Sequence, residues 1–383
     1  LSGDELAWGD TRIGDLNTDL TLIDGTLHLK TARLVNRRSQ AAVSGTAQLL
    51  NPETMKPLDN PTFDLKLDRT TVFLSDFMNA ASGKLSLAAR AEGSLQAPKA
   101  TMAVQGEDLA AADTRIGNLE ADLALDRGLL TIRKMALRNQ QSALRISGAA
   151  RLLDSDTLQP LENPAFDIAI QDGTVYLADF RKDLQGTLSL QGGARGDLKG
   201  PAARVMLQGK NLAAQGHPIG DLKAELQFAD GRLRLTPFAL QNGDSNLNIT
   251  GTAQLLNPKT LAPLKDPEFD LQVADGDVYL QDFIQGMTGR LALKGDLGGS
   301  FFHPQGTITL TGDQLDLGVQ KLDGIQLESR LDGEKVHVEP FLIAMAPGEN
   351  IRTDGWVSLQ KRYDLRTHTD GVSLNRIGPL KDQ

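Results

Sequence analysis

The sequence predicts an all-β fold, a long, mainly antiparallel sheet built from repeats of 103 residues. Three observations carry that prediction. Apolar side chains recur with a period of two, the pattern of half-buried strands. Gly and Asp punctuate the runs: Asp126-Arg127-Gly128, Asp172-Gly173, Asp230-Gly231, Asp275-Gly276 and Asp332-Gly333 read as hairpin turns, because Gly accepts a positive φ at no steric cost. The chain also repeats itself. GTAQLLNPETMKPLDNPTFDLKL from Gly45, GAARLLDSDTLQPLENPAFDIAI from Gly148 and GTAQLLNPKTLAPLKDPEFDLQV from Gly251 lie 103 residues apart, and the first and third agree at 15 of 23 positions.

The same interval relates Ile13-Gly14, Ile116-Gly117 and Ile219-Gly220, then Phe63, Phe166 and Phe269, then Val72, Val175 and Val278. A fourth copy follows Gly355 without the NPxT…PLxNP insertion, and there Tyr363, Val372 and Ile377 keep the spacing of Phe63, Val72 and Phe77. The predicted organisation is a partial first repeat (1–98), a second (99–201), a third (202–304) and a partial fourth (305–383), in one continuous elongated array. Leu1 aligns with Val104, inside a strand pattern, so the chain reads as a fragment of a longer protein.

Element by element, the second copy alternates at Ala100, Met102 and Val104, then at Leu119, Ala121, Leu123 and Leu125. The alternation continues at Leu130 and Ile132, Leu144 and Ile146, Phe166, Ile168 and Ile170, and Leu188 and Leu190. The first copy supplies Leu27, Leu29, Leu65, Leu67, Leu85 and Leu87. The third supplies Leu233, Leu235, Leu247, Ile249, Phe269, Leu271, Val273, Leu291 and Leu293. One strand per copy switches parity: Leu130 and Ile132 give way to Met135 and Leu137, and the same happens from Leu29 to Ala32, Leu235 to Phe238 and Val338 to Phe341. An extra residue that restores the apolar face is a β-bulge, and Pro237 and Pro340 are tolerated there because no ladder donor is needed. Repeated bulges would curve the sheet. Roughly six strands per copy, roughly 23 in all, would extend ~110 Å at ~4.8 Å per strand. The insertion from Asn51 to Thr62 and its copies reads as a surface loop carrying at most one helical turn. No amphipathic helix is available to cover the apolar face, so either the sheet folds over itself or it encloses something greasy.

Composition narrows the function. With 40% hydrophobic and 23% charged residues the chain folds rather than remaining disordered. The absence of Cys excludes a disulfide scaffold, a thiolate metal site and a cysteine nucleophile. His28, His217, His303, His337 and His368 form no ligand spacing. A net charge of −9 and a pI near 5.2 speak against nucleic acid as a partner. Two Trp and three Tyr speak against base-stacking platforms and against the aromatic girdles of a membrane barrel. No run approaches the ~18 apolar residues of a transmembrane helix, and Leu1-Ser2-Gly3-Asp4 begins no leader. Walker A, GxSxG and GxGxxG are missing, so the expectation is a non-enzyme without cofactor or metal.

Local motifs point the same way. Asp154 and Asp156 form a carboxylate pair best read as a solvated loop. Gly192-Gly193-Ala194-Arg195-Gly196-Asp197 has a faint calcium-repeat flavour and an Arg-Gly-Asp triplet, but occurs once and reads as a turn. Asn248-Ile249-Thr250 is a bare sequon, His303 beside Phe301 and Phe302 reads as packing or rim, and Met102, Met135 and Met206 read as sheet core.

The succession GxLxLxGxxxGxLxxPxxxxxLxGxxLxxxxxxIGxLxAxLxLxxGxLxL runs from Gly186 through Pro201, Val205–Leu212, Ile219-Gly220 and Asp230–Leu235. It resembles the periplasmic repeats of the AsmA-like/TamB/YhdP group, bacterial bridge-like lipid transport proteins, and the closing Asp364–Leu374 is similar in style. The resemblance implies a groove, taco-like in section, with an apolar interior. It implies a periplasmic span, an inner-membrane anchor outside this chain, and passage of phospholipid to the outer membrane. For the TamB branch it implies partnership with an outer-membrane assembly barrel protein. The regular 103-residue copies with their Pro-rich insertion depart from the best-known members.

Chemistry suits that reading. A diacyl lipid hides ~30 methylenes, each worth ~0.8 kcal/mol on leaving water, so an apolar trough removes a very large barrier to transfer. Aliphatics line a non-specific surface, while head groups stay in water. Apart from the alanines, the alternating apolar positions named for the three copies above are therefore the expected acyl-chain lining. The competing expectations are an outer-membrane assembly scaffold that binds an unfolded strand by edge addition, a secreted β-solenoid adhesin with parallel rungs, and an enzyme on a right-handed β-helix.

Overall fold

Strand follows strand through the computed structural model, which describes residues 1–8, 11–78, 80–112, 114–358 and 360–373. The strands are β1 Ser2–Trp8, β2 Thr11–Ile23, β3 Thr26–Asn36, β4 Ser39–Leu50, β5 Pro57–Phe73, β6 Ala81–Ser94, β7 Ala97–Ala111, β8 Thr114–Asp126, β9 Leu129–Asn139, β10 Ser142–Arg151, β11 Ala165–Tyr176 and β12 Leu184–Asp197. They continue as β13 Ala202–Ala214, β14 His217–Ala229, β15 Arg232–Asn242, β16 Ser245–Leu256, β17 Pro263–Tyr279, β18 Thr288–Ser300, β19 Pro304–Asp316, β20 Lys321–Asp332, β21 Lys335–Ala346, β22 Glu349–Ser358 and β23 Tyr363–Asp370. The only helical elements among the described residues are three single 3-10 turns, Leu74–Asp76, Leu177–Asp179 and Leu280–Asp282. No helix there is long and apolar enough to cross a membrane. The fold is all-β.

Two compact units are present: Leu1–Phe180 with Gln191–Leu198, and Arg181–Leu190 with the chain from Lys199 onward. In unit 1, β1 to β11 form an antiparallel meander in which each strand pairs with its chain neighbours. In unit 2, β13 to β23 do the same. Short hairpins suffice because antiparallel neighbours need no crossover.

Register shifts fall where the parity switches predict bulges: between Leu29 and Ala32, between Ile132 and Met135, between Leu235 and Phe238, and between Val338 and Phe341. Pro237 and Pro340 sit inside two of these shifts, where the missing N–H removes no rung. The close approach of β4 to β5 depends on glycine. Gly45 has φ +144°, and a Cβ there would run into the Asp64 carbonyl; Gly148, at φ +155°, stands in the same relation to Asp167.

Three expectations need correction. Asp172-Gly173 and Asp275-Gly276 are not turns: both lie inside strands, β11 and β17, beside register shifts. Gly276 is there because a Cβ would crowd Leu247 and Leu293 on the flanking strands. Gly192–Asp197 is strand, the second half of β12, and the turn comes only after it, at Leu198 and Lys199. The insertion is loop only in part. Pro57–Thr62 and Pro263–Glu268 already belong to β5 and β17, whereas 152–164 is irregular apart from one bridge, Leu153 to Pro160. The position Ile377 in the fourth copy lies outside the described residues.

Candidate functional site

Residues paired directly across antiparallel strands project to the same side, so the registers show which side chains share a face. In unit 1 one row runs from Leu20 through Leu29, Gly45, Leu65, Ala91, Ala100, Leu125, Leu130 and Ala150 to Phe166. The next runs Val43, Leu67, Ala89, Met102, Leu123, Ile132, Gly148, Ile168. Beyond it lie Leu87, Val104, Ala121, Met135, Ile146 and Ile170, then Leu85, Gly106, Leu119, Leu137 and Leu144. Leu27 pairs with Leu22 and Ala47 at the margin. The bulges keep Met135 and Leu137 on the face of Leu130 and Ile132.

Unit 2 shows the same arrangement. Leu226, Leu235, Gly251, Leu271, Leu297, Gly306, Leu331, Val336 and Val357 form one row. Beside it run Phe238, Ile249, Val273, Gly295 and Ile308, and then Leu240, Leu247, Gly276, Leu293, Leu310, Leu327 and Phe341. Leu233 faces Phe228 and Ala253, and Ala253 faces Phe269; Leu291 faces Val278 and Gly312. Leu188 and Leu190 are half-buried on β12 and alternate with the exposed Ser189 and Gln191.

Every one of the expected lining residues is half-buried; none is buried and none exposed. Although 40% of the chain is hydrophobic, the buried apolar residues among those described number eight: Leu109, Ala121, Ala136, Leu212, Ala224, Leu315, Met345 and Ala346. No large side chain is withdrawn from solvent entirely. An apolar face covered by a second layer would leave most of its side chains buried. Within each unit the side chains of this face keep partial contact with solvent.

The opposite face is charged. Arg90 holds Asp64 through two hydrogen bonds of 3.0 and 2.8 Å, and that bonding keeps the Asp64 carboxyl below the usual range. Lys134 does the same for Glu120 at 2.8 Å. Lys84–Glu107, Lys99–Asp126 and Arg145–Asp172 are further cross-strand pairs. All are exposed, and such pairs add little stability; they keep this face wet. Met206 belongs here, exposed and opposite Glu225, and is not sheet core.

One buried polar feature was missed from the sequence. The Ser142 hydroxyl donates to Asp179 Oδ2 at 2.7 Å and accepts the Tyr176 N–H at 2.9 Å, tying the β9–β10 hairpin to the 3-10 turn after β11. Ser39 and Asp76 repeat it at 2.7 Å, and Ser245 and Asp282 at 2.6 Å. The three serines are 3%, 5% and 3% exposed, so these latches lie inside the sheet margin. Burial acts to raise the Asp76 carboxyl, but the Ser39 hydrogen bond, the Arg38 charge and two backbone N–H groups outweigh it and hold the group below its ordinary value. The available signal was the recurrence of Ser39, Ser142 and Ser245 in step with Asp76, Asp179 and Asp282.

The remaining motifs resolve into structure. Asp154 caps its loop, accepting the N–H groups of Thr157 (2.9 Å) and Asp156 (3.0 Å), which lower its pKa. Asn51 and Asn257 cap the equivalent loops. His303 is exposed, 3.9 Å from Asp266, beside an edge-on pair of exposed phenylalanines, Phe301 and Phe302. Among the described residues no cluster of His, Asp and Glu is arranged to hold a metal ion. Comparison with known proteins found no matching family model, no matching characterised protein and no matching solved structure.

Proposed function

We propose that this chain is a periplasmic segment of a phospholipid conduit between inner and outer membranes, in which its 103-residue repeats build a groove and acyl chains lie against the apolar face. The observation that supports this reading best is that the apolar face is continuous in register within each unit and its side chains keep partial contact with solvent. A continuous apolar face that keeps partial contact with solvent suits a site of association. Aliphatic side chains suit methylene chains of any length, and the charged opposite face keeps the sheet in water. No chemistry is required of the protein: acyl chains slide passively, head groups remain at the open margin, and the membrane anchor and any assembly-barrel partner act through parts of the protein outside this chain. A parallel-rung solenoid adhesin is a poorer reading, because the neighbour pairings from β1 to β11 and from β13 to β23 are antiparallel.

The test is mass spectrometry of lipid extracted from the purified protein. Phospholipid that co-purifies in stoichiometric amounts, and exchanges with added labelled phospholipid, is the expected result. A chain that is folded, free of lipid and inert toward phospholipid micelles would count against the proposal.

A further inference from the structure

The polar face of unit 2 carries a pair of arginines that the other copies lack. Beside the Asp230-Gly231 hairpin a cavity of about 510 Å³ is walled by Gln227, Asp230, Arg232, Arg234, Gln254 and Pro258 among others. Arg232 and Arg234 alternate with Leu233 and Leu235, so their guanidinium groups project from the face opposite the apolar one. Gln254 pins the first of them. Its Oε1 accepts from Arg232 Nε at 3.1 Å, while its Nε2 donates to the carbonyls of Asp230 (3.0 Å) and Leu256 (2.7 Å). The carboxamide is thereby committed to holding one guanidinium by its Nε, which leaves the Nη edge for a ligand.

No nearby acid is ion-paired with either arginine. Glu225 is engaged by Arg204 at 2.9 Å and by Gln227 at 2.6 Å, and among the described residues no carboxylate stands within ion-pair distance of Arg232 or Arg234. Asp230 also lines the cavity but is not ion-paired with either arginine. The positions equivalent to Arg232 and Arg234 are Thr26 and His28, Leu129 and Thr131, and Lys335 and His337, so the strand does not require two arginines to fold.

We propose that Arg232 and Arg234 form a phosphate-binding site, accepting a phosphate monoester or diester. A guanidinium presents paired N–H donors that match two phosphate oxygens, and two such groups ~7 Å apart along a strand can clasp one phosphate from two sides. The site is on the face away from the acyl-chain lining and stands whether or not lipid occupies that lining.

Two probes test it: inorganic phosphate, followed by 31P line broadening, and phosphatidylcholine vesicles with or without phosphatidic acid, followed by co-sedimentation. Saturable phosphate binding with a midpoint of about 1 mM, weakened by added salt, is expected. It should vanish in the Arg232→Gln/Arg234→Gln variant and persist in Arg133→Gln, an exposed arginine of unit 1. The Arg232→Lys/Arg234→Lys variant should bind at least about threefold more weakly, because lysine keeps the charge but loses the fork. Arginine-dependent binding to phosphatidic acid vesicles alone would identify a lipid head group as the source of the phosphate, and binding to inorganic phosphate alone a free anion; either supports the site. Failure of both probes, or equal binding by the folded double glutamine or double lysine variant, overturns it.

Discussion

A carboxylate placed in the middle of the apolar face separates folding from occupancy. Leu123 on β8 and Ile168 on β11 lie in one row of unit 1, three strand spacings apart, ~14 Å. Both are half-buried, so an aspartate at either site forfeits part of an aliphatic burial worth about 1.5–3 kcal/mol while its charge still reaches water. A loss of about 1–2 kcal/mol per site is expected, within the margin of a stable domain. Ala121, two residues away on the same face, is 4% exposed, and a carboxylate there would be desolvated at a cost of several kcal/mol. An acyl chain crossing Leu123→Asp/Ile168→Asp would lose the cover of about four methylenes at each carboxylate, ~3 kcal/mol per site, or roughly a hundredfold in retention. The assay pairs thermal unfolding with lipid mass spectrometry and titration by a fluorescent fatty acid. The double variant should melt a few degrees lower and carry almost no lipid, and Ala121→Asp should fail to fold. A folded double variant with the parent's lipid content would refute the reasoning.

Gly45→Ala should destabilise unit 1 by at least about 2 kcal/mol, because alanine must adopt a φ of +144° with its Cβ against the Asp64 carbonyl; an unchanged melting temperature would contradict the close approach of β4 and β5. Ser142→Ala and Asp179→Ala should each cost about 1–3 kcal/mol in urea unfolding, and together less than their sum, since either one breaks the same latch. Asp76 has a folded pKa below its unfolded value of about 3.9, so its stabilising effect is complete above that pH and fades as pH falls through the folded value. The difference in urea midpoint between the parent and Asp76→Asn should therefore hold steady from about pH 7 to 5 and shrink below about pH 4; a difference that widens in acid would reverse the sign of the argument.

The alternation at Leu119–Leu125 and Phe166–Ile170 made the strands and their apolar face legible, because side-chain direction in a strand depends only on parity. The parity switches at Ile132 and Leu235 located the bulges for the same reason. Asp172-Gly173 and Asp275-Gly276 misled, because a glycine inside a ladder, such as Gly276 making room for Leu247 and Leu293, has the same local signature as one that turns the chain. The latches at Ser39, Ser142 and Ser245 were signalled only by their recurrence in step with Asp76, Asp179 and Asp282, because each carboxylate lies 37 residues from its serine; the pin on Arg232, 22 residues away, left no such signal.

Period, repetition and turn residues by themselves determined an antiparallel all-β chain with one apolar and one charged face. Only the tertiary structure decided whether that apolar face is closed. Alternation reads the same for a strand packed under a second layer and for one facing open space, and the difference lies in what the rest of the chain brings near it. Here the leucines, valines and isoleucines of that face are neither sealed from solvent nor fully exposed to it.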